Sequence, residues 1–310
     1  MLSVIIPAYN EEKMIELTAN TIHSLLQNNG IHHELIFIDD GSKDATWENI
    51  QKIKETWMKG VKFSKNFGKE AAIFAGLEHA KGECGVVIDC DLQHPPEKIV
   101  EMYKLWLDGY EIVEAVKTSR GKESLLHKAC AGTFYKIISK ATNIDMNRAS
   151  DFKLLDRKAI NVLLTMREKN SFFRALSSWI GFKTMQIEFD VQERLEGESK
   201  WSAISLIKYA ISNITSFSTL PMQFATGLGV ATFIISIVIG AIALIQKMLG
   251  QSLEGFTTVI ILQLLFSSII MCCLGIIGYY IAKIYEEIQG RPKYIVAKIH
   301  EINEDLSQDN

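Results

Sequence analysis

The chain has 310 residues, of which 48% are hydrophobic and 22% are charged, with a formal net charge of −3. This length suffices for one large domain or two modest ones, and the composition excludes an intrinsically disordered protein. The slight negative charge argues against a nucleic-acid-binding protein, which usually has a basic excess. The five cysteines show neither CxxC nor Cys/His metal spacing, so we expect a reducing compartment. The first residues lack the features of a signal peptide, and we expect none.

The first 117 residues alternate short β-rich runs with helical stretches. The pattern predicts strands at residues 2–6, 35–38, 86–88 and 112–116, and helices at 15–26, 45–56, 69–80 and 97–107. This alternation is typical of an α/β fold with a mostly parallel sheet and helices on both faces. Ligands of such sheets bind beyond the carboxyl ends of the strands. Three polar clusters follow predicted strands: Tyr9-Asn10-Glu11, Asp39-Asp40-Gly41-Ser42 and Asp89-Cys90-Asp91.

The segment between residues 118 and 200 is less regular. It predicts helices at 125–140 and 157–166 and strands at 152–155 and 186–189. Residues 201–216 have apolar positions at helical spacing, which fits either an amphipathic helix on a membrane surface or an ordinary helix of the domain. We assign residues 201–218 to an interfacial helix.

Two long apolar runs follow. No Asp, Glu, Lys or Arg lies between Lys208 and Lys247 or between Glu254 and Lys283. Within these gaps, residues 224–245 and 256–282 are long enough to cross a hydrocarbon core of about 30 Å as helices. We therefore predict a transmembrane hairpin within residues 219–285.

Basic residues flank the predicted hairpin on its outer sides, whereas its connector holds the single Lys247. The positive-inside bias places both flanks in the cytoplasm. The expected organisation is a cytoplasmic domain at 1–200, the interfacial helix, the hairpin, and a charged, partly ordered cytoplasmic tail at 286–310.

The Asp89-Cys90-Asp91 element predicts a metal site. Side chains at positions i and i+2 near a strand end converge, and two carboxylates suit Mg²⁺ or Mn²⁺ shared with substrate phosphates. Such acidic pairs are also frequent as plain turn residues. Asp39 could accept a hydrogen bond from a ribose or a base, while Ser42 or Asp44 could cap the next helix.

Several well-known motifs are missing from the sequence. It has no GxGxxG and no GxxxxGK[ST], which disfavours dinucleotide-dependent hydride transfer and ATP hydrolysis. It also has no GxSxG nucleophile elbow.

An ordered series of elements resembles the family 2 glycosyltransferases with a GT-A fold. The series begins with Val4-Ile5-Ile6-Pro7-Ala8-Tyr9-Asn10-Glu11-Glu12 and Asp39-Asp40-Gly41-Ser42, and continues with Ser64-Lys65-Asn66-Phe67-Gly68-Lys69-Glu70 and Asp89-Cys90-Asp91-Leu92-Gln93-His94-Pro95-Pro96-Glu97. It extends to Ser150-Asp151-Phe152-Lys153-Leu154-Leu155-Asp156-Arg157, Gly197-Glu198-Ser199-Lys200-Trp201 and Gly290-Arg291-Pro292-Lys293-Tyr294-Ile295-Val296. With two C-terminal spans, the longer set is similar to polyprenyl-phosphate glycosyltransferases, including prophage-type bactoprenol glucosyltransferases and, more distantly, dolichol-phosphate mannose synthases.

The resemblance implies a role for each matching position. The residues implied to bind the nucleotide-sugar donor are Pro7, Tyr9, Glu11, Asp39, Lys65, Asp89, Asp91 and Gln93, with Asp89 and Asp91 also holding the metal. Asp91 and Asp151 are implied as catalytic residues, with Asp151 near the acceptor. The positions implied to meet the acceptor phosphate are Arg120, Lys128, Arg194 and Lys200.

Some positions depart from the family pattern. Lys65 stands where an arginine is commoner, and Cys90 where a small residue is usual. In relatives an arginine is often followed one turn later by a hydroxyl residue, whereas this chain has His127-Lys128 and then Gly132.

The implied reaction is transfer of a hexose, with UDP-glucose as the leading donor, to undecaprenyl phosphate at the inner membrane of a bacterium for modification of a cell-envelope glycan. A phosphate monoester is largely dianionic at neutral pH, so a strong base is not required, and single displacement inverts the anomeric centre. GDP-mannose, a UDP-N-acetylhexosamine or an amino-arabinose derivative are alternative donors. A non-catalytic membrane scaffold is the alternative of another class. We also expect a homo-oligomer and no nucleic-acid partner.

Overall fold

The computed structural model describes residues 1–118, 150–166, 168, 172–190, 220–249 and 255–302. The chain divides into two compact units. The first comprises Met1–Ser202 together with Pro292–Asn310, and the second comprises Ala203–Arg291. The predicted helices at 125–140 and 201–218 lie outside the described residues.

The strands of the first unit form one sheet. They are β1 (Leu2–Ala8), β2 (His33–Asp39), β3 (Met58–Phe63), β4 (Cys84–Val87), β5 (Ile112–Lys117), β6 (Lys153–Asp156), β7 (Thr184–Phe189) and β8 (Val296–Glu301). Their order across the sheet is β7-β5-β6-β4-β1-β2-β3-β8. Parallel pairing joins β3, β2, β1 and β4, whereas β6 and β8 run antiparallel to their neighbours. This sheet confirms the predicted α/β fold.

The described helices of this unit flank the sheet. They are α1 (Ile15–Asn28), α2 (Thr46–Lys52), α3 (Lys69–His79), α4 (Glu97–Leu107), α5 (Arg157–Thr165) and α6 (Phe173–Trp179). Successive strand residues point to opposite faces. In β2, Leu35 and Phe37 therefore belong to the core shared with α1, while Ile36 and Ile38 belong to the core shared with α3.

A glycine brings α3 unusually close to the centre of the sheet. A Cβ atom on Gly76 would lie 2.2 Å from Cγ2 of Ile5 in β1. No larger side chain fits there without a shift of helix or strand. This packing fixes α3 against the central strand, and its first residue, Lys69, therefore lies at the carboxyl end of the sheet.

Two strands, β3 and β8, were not predicted from the sequence. Residues 45–56 were predicted as helix, but α2 ends at Lys52 and β3 begins at Met58. No strand was predicted in the tail, whereas β8 pairs with the edge of β3. The lysines that make β3 look polar have acidic partners: Lys59 Nζ lies 3.1 Å from Glu301 of β8.

The second unit contains two long apolar helices, α7 (Leu220–Met248) and α8 (Phe256–Ile288). Each includes a segment long and apolar enough to cross a membrane, Met222–Ile242 and Leu262–Ile288. Their apolar side chains are largely exposed to the surroundings, as at Phe233 and Ile281. These positions agree with the two predicted apolar segments.

A buried ion pair joins three elements near the end of the sheet. Lys153 in β6 places its Nζ 3.0 Å from Glu114 Oε1 in β5, and both residues are at least 96% buried. The same ammonium donates to Ser177 Oγ in α6 at 2.9 Å. Glu114 also accepts hydrogen bonds from Ser150 N and Gln186 Nε2. The pair therefore holds β5, the segment before β6, and α6 together.

Replacing Lys153 with methionine leaves the Glu114 carboxylate buried without its cation. A broken buried pair costs about 3–5 kcal/mol, which corresponds to a fall in Tm of about 10 °C. We expect the double variant Lys153→Met/Glu114→Gln to recover part of this loss. Thermal unfolding of the detergent-solubilised chain measures both, with the exposed Lys158→Met as control. A Tm for Lys153→Met equal to that of the control would contradict this role.

Candidate active site

The carboxyl ends of the parallel strands meet around one cavity. Strands β1, β2 and β4 run in the same direction, and the segments that follow them contain the three polar clusters predicted from the sequence. The cavity has a volume of about 280 Å³. It is lined by Pro7, Ala8, Tyr9, Glu11, Asp40, Asn66, Gly68, Lys69, Ala72, Asp89, Cys90 and Asp91. The structure therefore brings Pro7, Tyr9, Glu11, Asp89 and Asp91 together, as expected.

Hydrogen bonds fix the turn after β1 to the turn after β2. The backbone N–H of Asn10 donates to Ser42 Oγ at 2.9 Å, and that of Glu11 donates to Thr46 Oγ1 at 2.9 Å. Asn10 adopts a positive φ of 56°, a conformation that asparagine tolerates better than most residues. Tyr9 keeps 40% of its surface exposed at the cavity. The turn therefore presents an aromatic ring on a fixed backbone.

Asp39 lies behind the cavity wall instead of in it. Its side chain is fully buried, and its Oδ1 accepts a hydrogen bond from Ser42 N at 2.8 Å. Its Oδ2 lies 3.7 Å from Lys62 Nζ in β3. Oδ1 of Asp39 therefore holds the turn, while its Oδ2 has no hydrogen-bond partner among the described residues, and the contact with the donor stays a prediction. Asp44 Oδ1 accepts a hydrogen bond from the backbone N–H of Thr46, the first residue of α2.

The neighbouring Asp40, which sequence reasoning did not single out, lines the cavity and holds the loop before α3. Its carboxylate accepts hydrogen bonds from Phe67 N at 2.7 Å and from Gly68 N at 2.9 Å. Burial raises the pKa of Asp40 to about 6 although these hydrogen bonds lower it. The loop approaches Gly41, where a Cβ would lie 2.3 Å from the Lys65 carbonyl carbon. Asp40 and Gly41 therefore set the start of α3.

Lys65 and Gln93, both expected at the donor, are not among the residues that line the cavity. Lys65 is exposed, and its Nζ lies 5.1 Å from the centre of the Phe67 ring. The Gln93 backbone N–H donates to Asp91 Oδ1 at 3.1 Å, so this residue contributes to the shape of the acidic turn.

The acidic turn after β4 offers two carboxylates to the same cavity. Asp89 is 30% exposed, and its Oδ2 lies 4.0 Å from His94 Nδ1. Carboxylate oxygens are hard donors that suit Mg²⁺ or Mn²⁺. In the described part of the chain, no group of three or more His, Cys, Asp or Glu side chains forms a metal-binding cluster. Asp89 and Asp91 are the carboxylates that fit such an ion by the chemistry of their oxygens.

Lys69 connects the acidic turn to Asp151. Its Nζ lies 2.6 Å from Asp89 Oδ1 and 2.9 Å from Asp151 Oδ2. Burial lowers the pKa of Lys69, but the two carboxylates raise it by more, so the ammonium remains charged. Burial likewise raises the pKa of Asp89, yet Lys69 outweighs this effect and holds that pKa below its usual value.

Asp151 also has a second cationic partner. Arg174 in α6 donates from Nε to Asp151 Oδ1 at 2.6 Å and from Nη2 to Oδ2 at 2.9 Å, a bidentate pair. Asp151 is 95% buried. Burial alone would raise its pKa, but Lys69 and Arg174 hold it well below the usual range. The carboxylate is therefore permanently ionised and engaged on both oxygens.

Glu70 adds a further acidic group beside the cluster formed by Asp89, Lys69 and Asp151. Its Oε2 accepts a hydrogen bond from Phe173 N at the start of α6. Burial and the nearby Asp151 carboxylate raise the pKa of Glu70 to about 7. The first two residues of α3 thus contact both the acidic turn and α6.

Sequence reasoning missed Lys69, Glu70 and Arg174 as site residues. Lys69 and Glu70 belong to the Ser64–Glu70 element that carried the family resemblance, so a signal for them was present. Arg174 lies in no motif, because its role depends on the packing of α6 against a distant segment. The four residues expected at the acceptor phosphate, Arg120, Lys128, Arg194 and Lys200, lie outside the described residues.

Comparison with known proteins relates the chain to one family over most of its length. Residues 3–164 match the model of Glycosyl transferase family 2. The uncharacterized glycosyltransferase YkcC of Bacillus subtilis is 40% identical, with 97% of this chain and 94% of that protein covered. The bactoprenol glucosyl transferase of Shigella phage SfII is 34% identical, with 97% of this chain and 99% of that protein covered.

Among solved structures, glucosyl-3-phosphoglycerate synthase from Mycobacterium tuberculosis in complex with Mn²⁺, uridine diphosphate and glucosyl-3-phosphoglycerate aligns with a TM-score of 0.49. The two chains are 19% identical, and the alignment covers 70% of this chain and 80% of that one. The match to the family model extends over more than half of the sequence and spans the sheet segments from β1 to β6. The chain therefore belongs to glycosyl transferase family 2 and is a glycosyltransferase with a GT-A-like α/β fold.

Proposed function

We propose that this protein transfers a hexose from a nucleotide sugar to a polyprenyl phosphate at the cytoplasmic face of a bacterial inner membrane. The leading donor is UDP-glucose and the leading acceptor is undecaprenyl phosphate, giving a lipid-linked sugar for a cell-envelope glycan. The main structural support for this reaction is the pair of contacts that Lys69 makes with Asp89 and Asp151 at the cavity. The acceptor is supported by near full-length similarity to bactoprenol glucosyl transferases.

Asp89 and Asp91 are the residues that would hold a divalent cation. Such an ion supplies Lewis-acid stabilisation of the negative charge on the departing nucleoside diphosphate. The exposed Tyr9 ring offers an apolar surface for the base of the donor, and Glu11 lies on the same wall. The Lys69 ammonium faces the cavity, where it can neutralise a phosphate oxygen.

The nucleophile in this reaction needs little activation by the protein. A phosphate monoester has a second pKa of about 6 and is largely dianionic at neutral pH. We assign Asp151 to positioning groups or to stabilising positive charge at the anomeric carbon, because its carboxylate stays ionised. The cations on both its oxygens reduce that stabilisation and disfavour a role as base. A single displacement with inversion follows from these roles.

A lipid acceptor provides a reason for the two apolar helices. A polyprenyl chain stays in the bilayer, so a protein that uses it has to keep its site near the interface. Helices α7 and α8 contain spans of sufficient length to anchor the chain there. Arg120, Lys128, Arg194 and Lys200 remain the residues proposed to meet the acceptor phosphate.

The reaction is tested with membranes that contain the protein, radiolabelled UDP-glucose and undecaprenyl phosphate. We expect label in an organic-extractable lipid, and its loss with EDTA or with Asp91→Asn, because both remove the charge stabilisation on the leaving group. A reduction of about 10²–10³-fold is expected for Asp91→Asn. The exposed Asp108→Asn serves as the matched control.

Transfer could instead occur from GDP-mannose, a UDP-N-acetylhexosamine or an amino-arabinose donor and not from UDP-glucose. That result would support the proposed reaction class and change only the identity of the sugar. A folded protein that transfers no sugar from any of these donors would contradict the proposal. Activity unaffected by EDTA would contradict the metal dependence.

The state of Asp151 leads to a prediction about pH. A carboxylate whose pKa is held well below its usual range is ionised at every pH from 5 to 9, so it contributes no limb to the profile of kcat against pH. An acid limb at about pH 6–7 then reports the acceptor phosphate or the carboxyl groups of Asp40 and Glu70, whose pKa values are raised to about 6 and about 7. We expect Asp151→Asn to lower kcat about a hundredfold while the acid limb persists. An acid limb in the wild type that disappears in Asp151→Asn would identify this residue as the base.

A further inference from the structure

Lys69 occupies an unusual position for a lysine beside a proposed cation site. It is the first residue of α3 and lines the cavity, with 40% of its side chain exposed. Its Nζ contacts Asp89 Oδ1 at 2.6 Å, the shorter of its two carboxylate contacts. Asp89 is also one of the two carboxylates proposed to hold a divalent cation. The ammonium and the cation are therefore competitors for one carboxylate.

Electrostatics disfavours both cations on this carboxylate at the same time. Two positive charges within about 4 Å repel by several kcal/mol at the effective dielectric of a protein surface. A lysine ammonium is a compact charge on a flexible four-carbon stem, so it can move to a new partner. A nucleoside diphosphate provides such partners, because its phosphate oxygens attract both the ammonium and the metal.

The second carboxylate tolerates departure of the lysine. Asp151 is 95% buried, and it would be costly to leave it without a counter-charge. Arg174 contacts both of its oxygens, at 2.6 and 2.9 Å. The arginine therefore keeps Asp151 paired when the Lys69 ammonium moves, so the movement leaves no isolated charge in the core.

We propose that Lys69 is a displaceable counter-ion that excludes a divalent cation from Asp89 until a nucleoside diphosphate arrives. This inference rests on the proposed function, because it assigns the cation to Asp89 and Asp91. The cation then binds weakly to the protein alone and tightly together with the nucleotide. Because binding linkage is reciprocal, the cation raises the affinity for the nucleotide by the same factor.

The test titrates the full-length protein in detergent with Mn²⁺. The electron paramagnetic resonance signal of free Mn²⁺ then gives the amount of bound Mn²⁺. For the wild type, we expect UDP to raise the Mn²⁺ affinity by at least about tenfold, a coupling within the usual range for linked sites. Lys69→Met should bind Mn²⁺ without UDP about tenfold more tightly than the wild type, and UDP should raise its affinity less. Lys69→Arg, which keeps the charge, should behave like the wild type.

Lys104→Met, which removes an exposed lysine of α4, is the matched control and should not differ from the wild type. If Lys69→Met does not fold, Lys69→Gln replaces it, and the comparison of the wild type with and without UDP still applies. Equal Mn²⁺ affinity of Lys69→Met and the wild type without UDP would overturn the inference and leave the proposed transfer reaction intact. A wild-type protein that binds no Mn²⁺ even with UDP would overturn the metal role as well.

Discussion

The site depends on a series of contacts between alternating charges, formed by Asp89, Lys69, Asp151 and Arg174. Two carboxylates from different parts of the sheet approach one ammonium at 2.6 and 2.9 Å. Without the cations, the nearly complete burial of Asp151 would favour its neutral form. With them, Asp151 stays ionised behind Lys69, which lines the cavity, and it does not take up a proton at neutral pH.

The fold places each member of this series by ordinary packing. Gly76 allows α3 to contact Ile5 of the central strand, and Asp40 ties the preceding loop to the end of β2, so the backbone of Lys69 is held from both directions. The buried pair of Glu114 and Lys153 connects the segment before Asp151 to the helix that carries Arg174. Packing and hydrogen bonds outside the charge series thus hold its members in place.

The sequence predicted the parts of this arrangement that depend on local pattern. Apolar runs followed by acidic turns marked β1, β2 and β4, and Asp89 and Asp91 lie in the cavity as expected. Strand β3 was missed because its lysines hide its alternation, and β8 because its partner edge is distant in the chain. Arg174 could not be found for the same reason, since its pairing with Asp151 arises only when α6 packs beside β6. Asp39 lies behind the cavity wall, where its Oδ1 holds a turn, and its predicted contact with the donor stays a prediction.

A carboxylate engaged by two cations is a poor nucleophile as well as a poor base, so we expect the acceptor phosphate to attack the sugar directly. The most direct test is the anomeric configuration of the lipid-linked sugar, determined by nuclear magnetic resonance of the purified product made from UDP-glucose, in which the sugar is α-linked. We expect a β-linked glucosyl phosphate, the outcome of one inversion. An α-linked product would require a second displacement or a front-face transfer. It would contradict a single displacement in which Asp151 is neither nucleophile nor base.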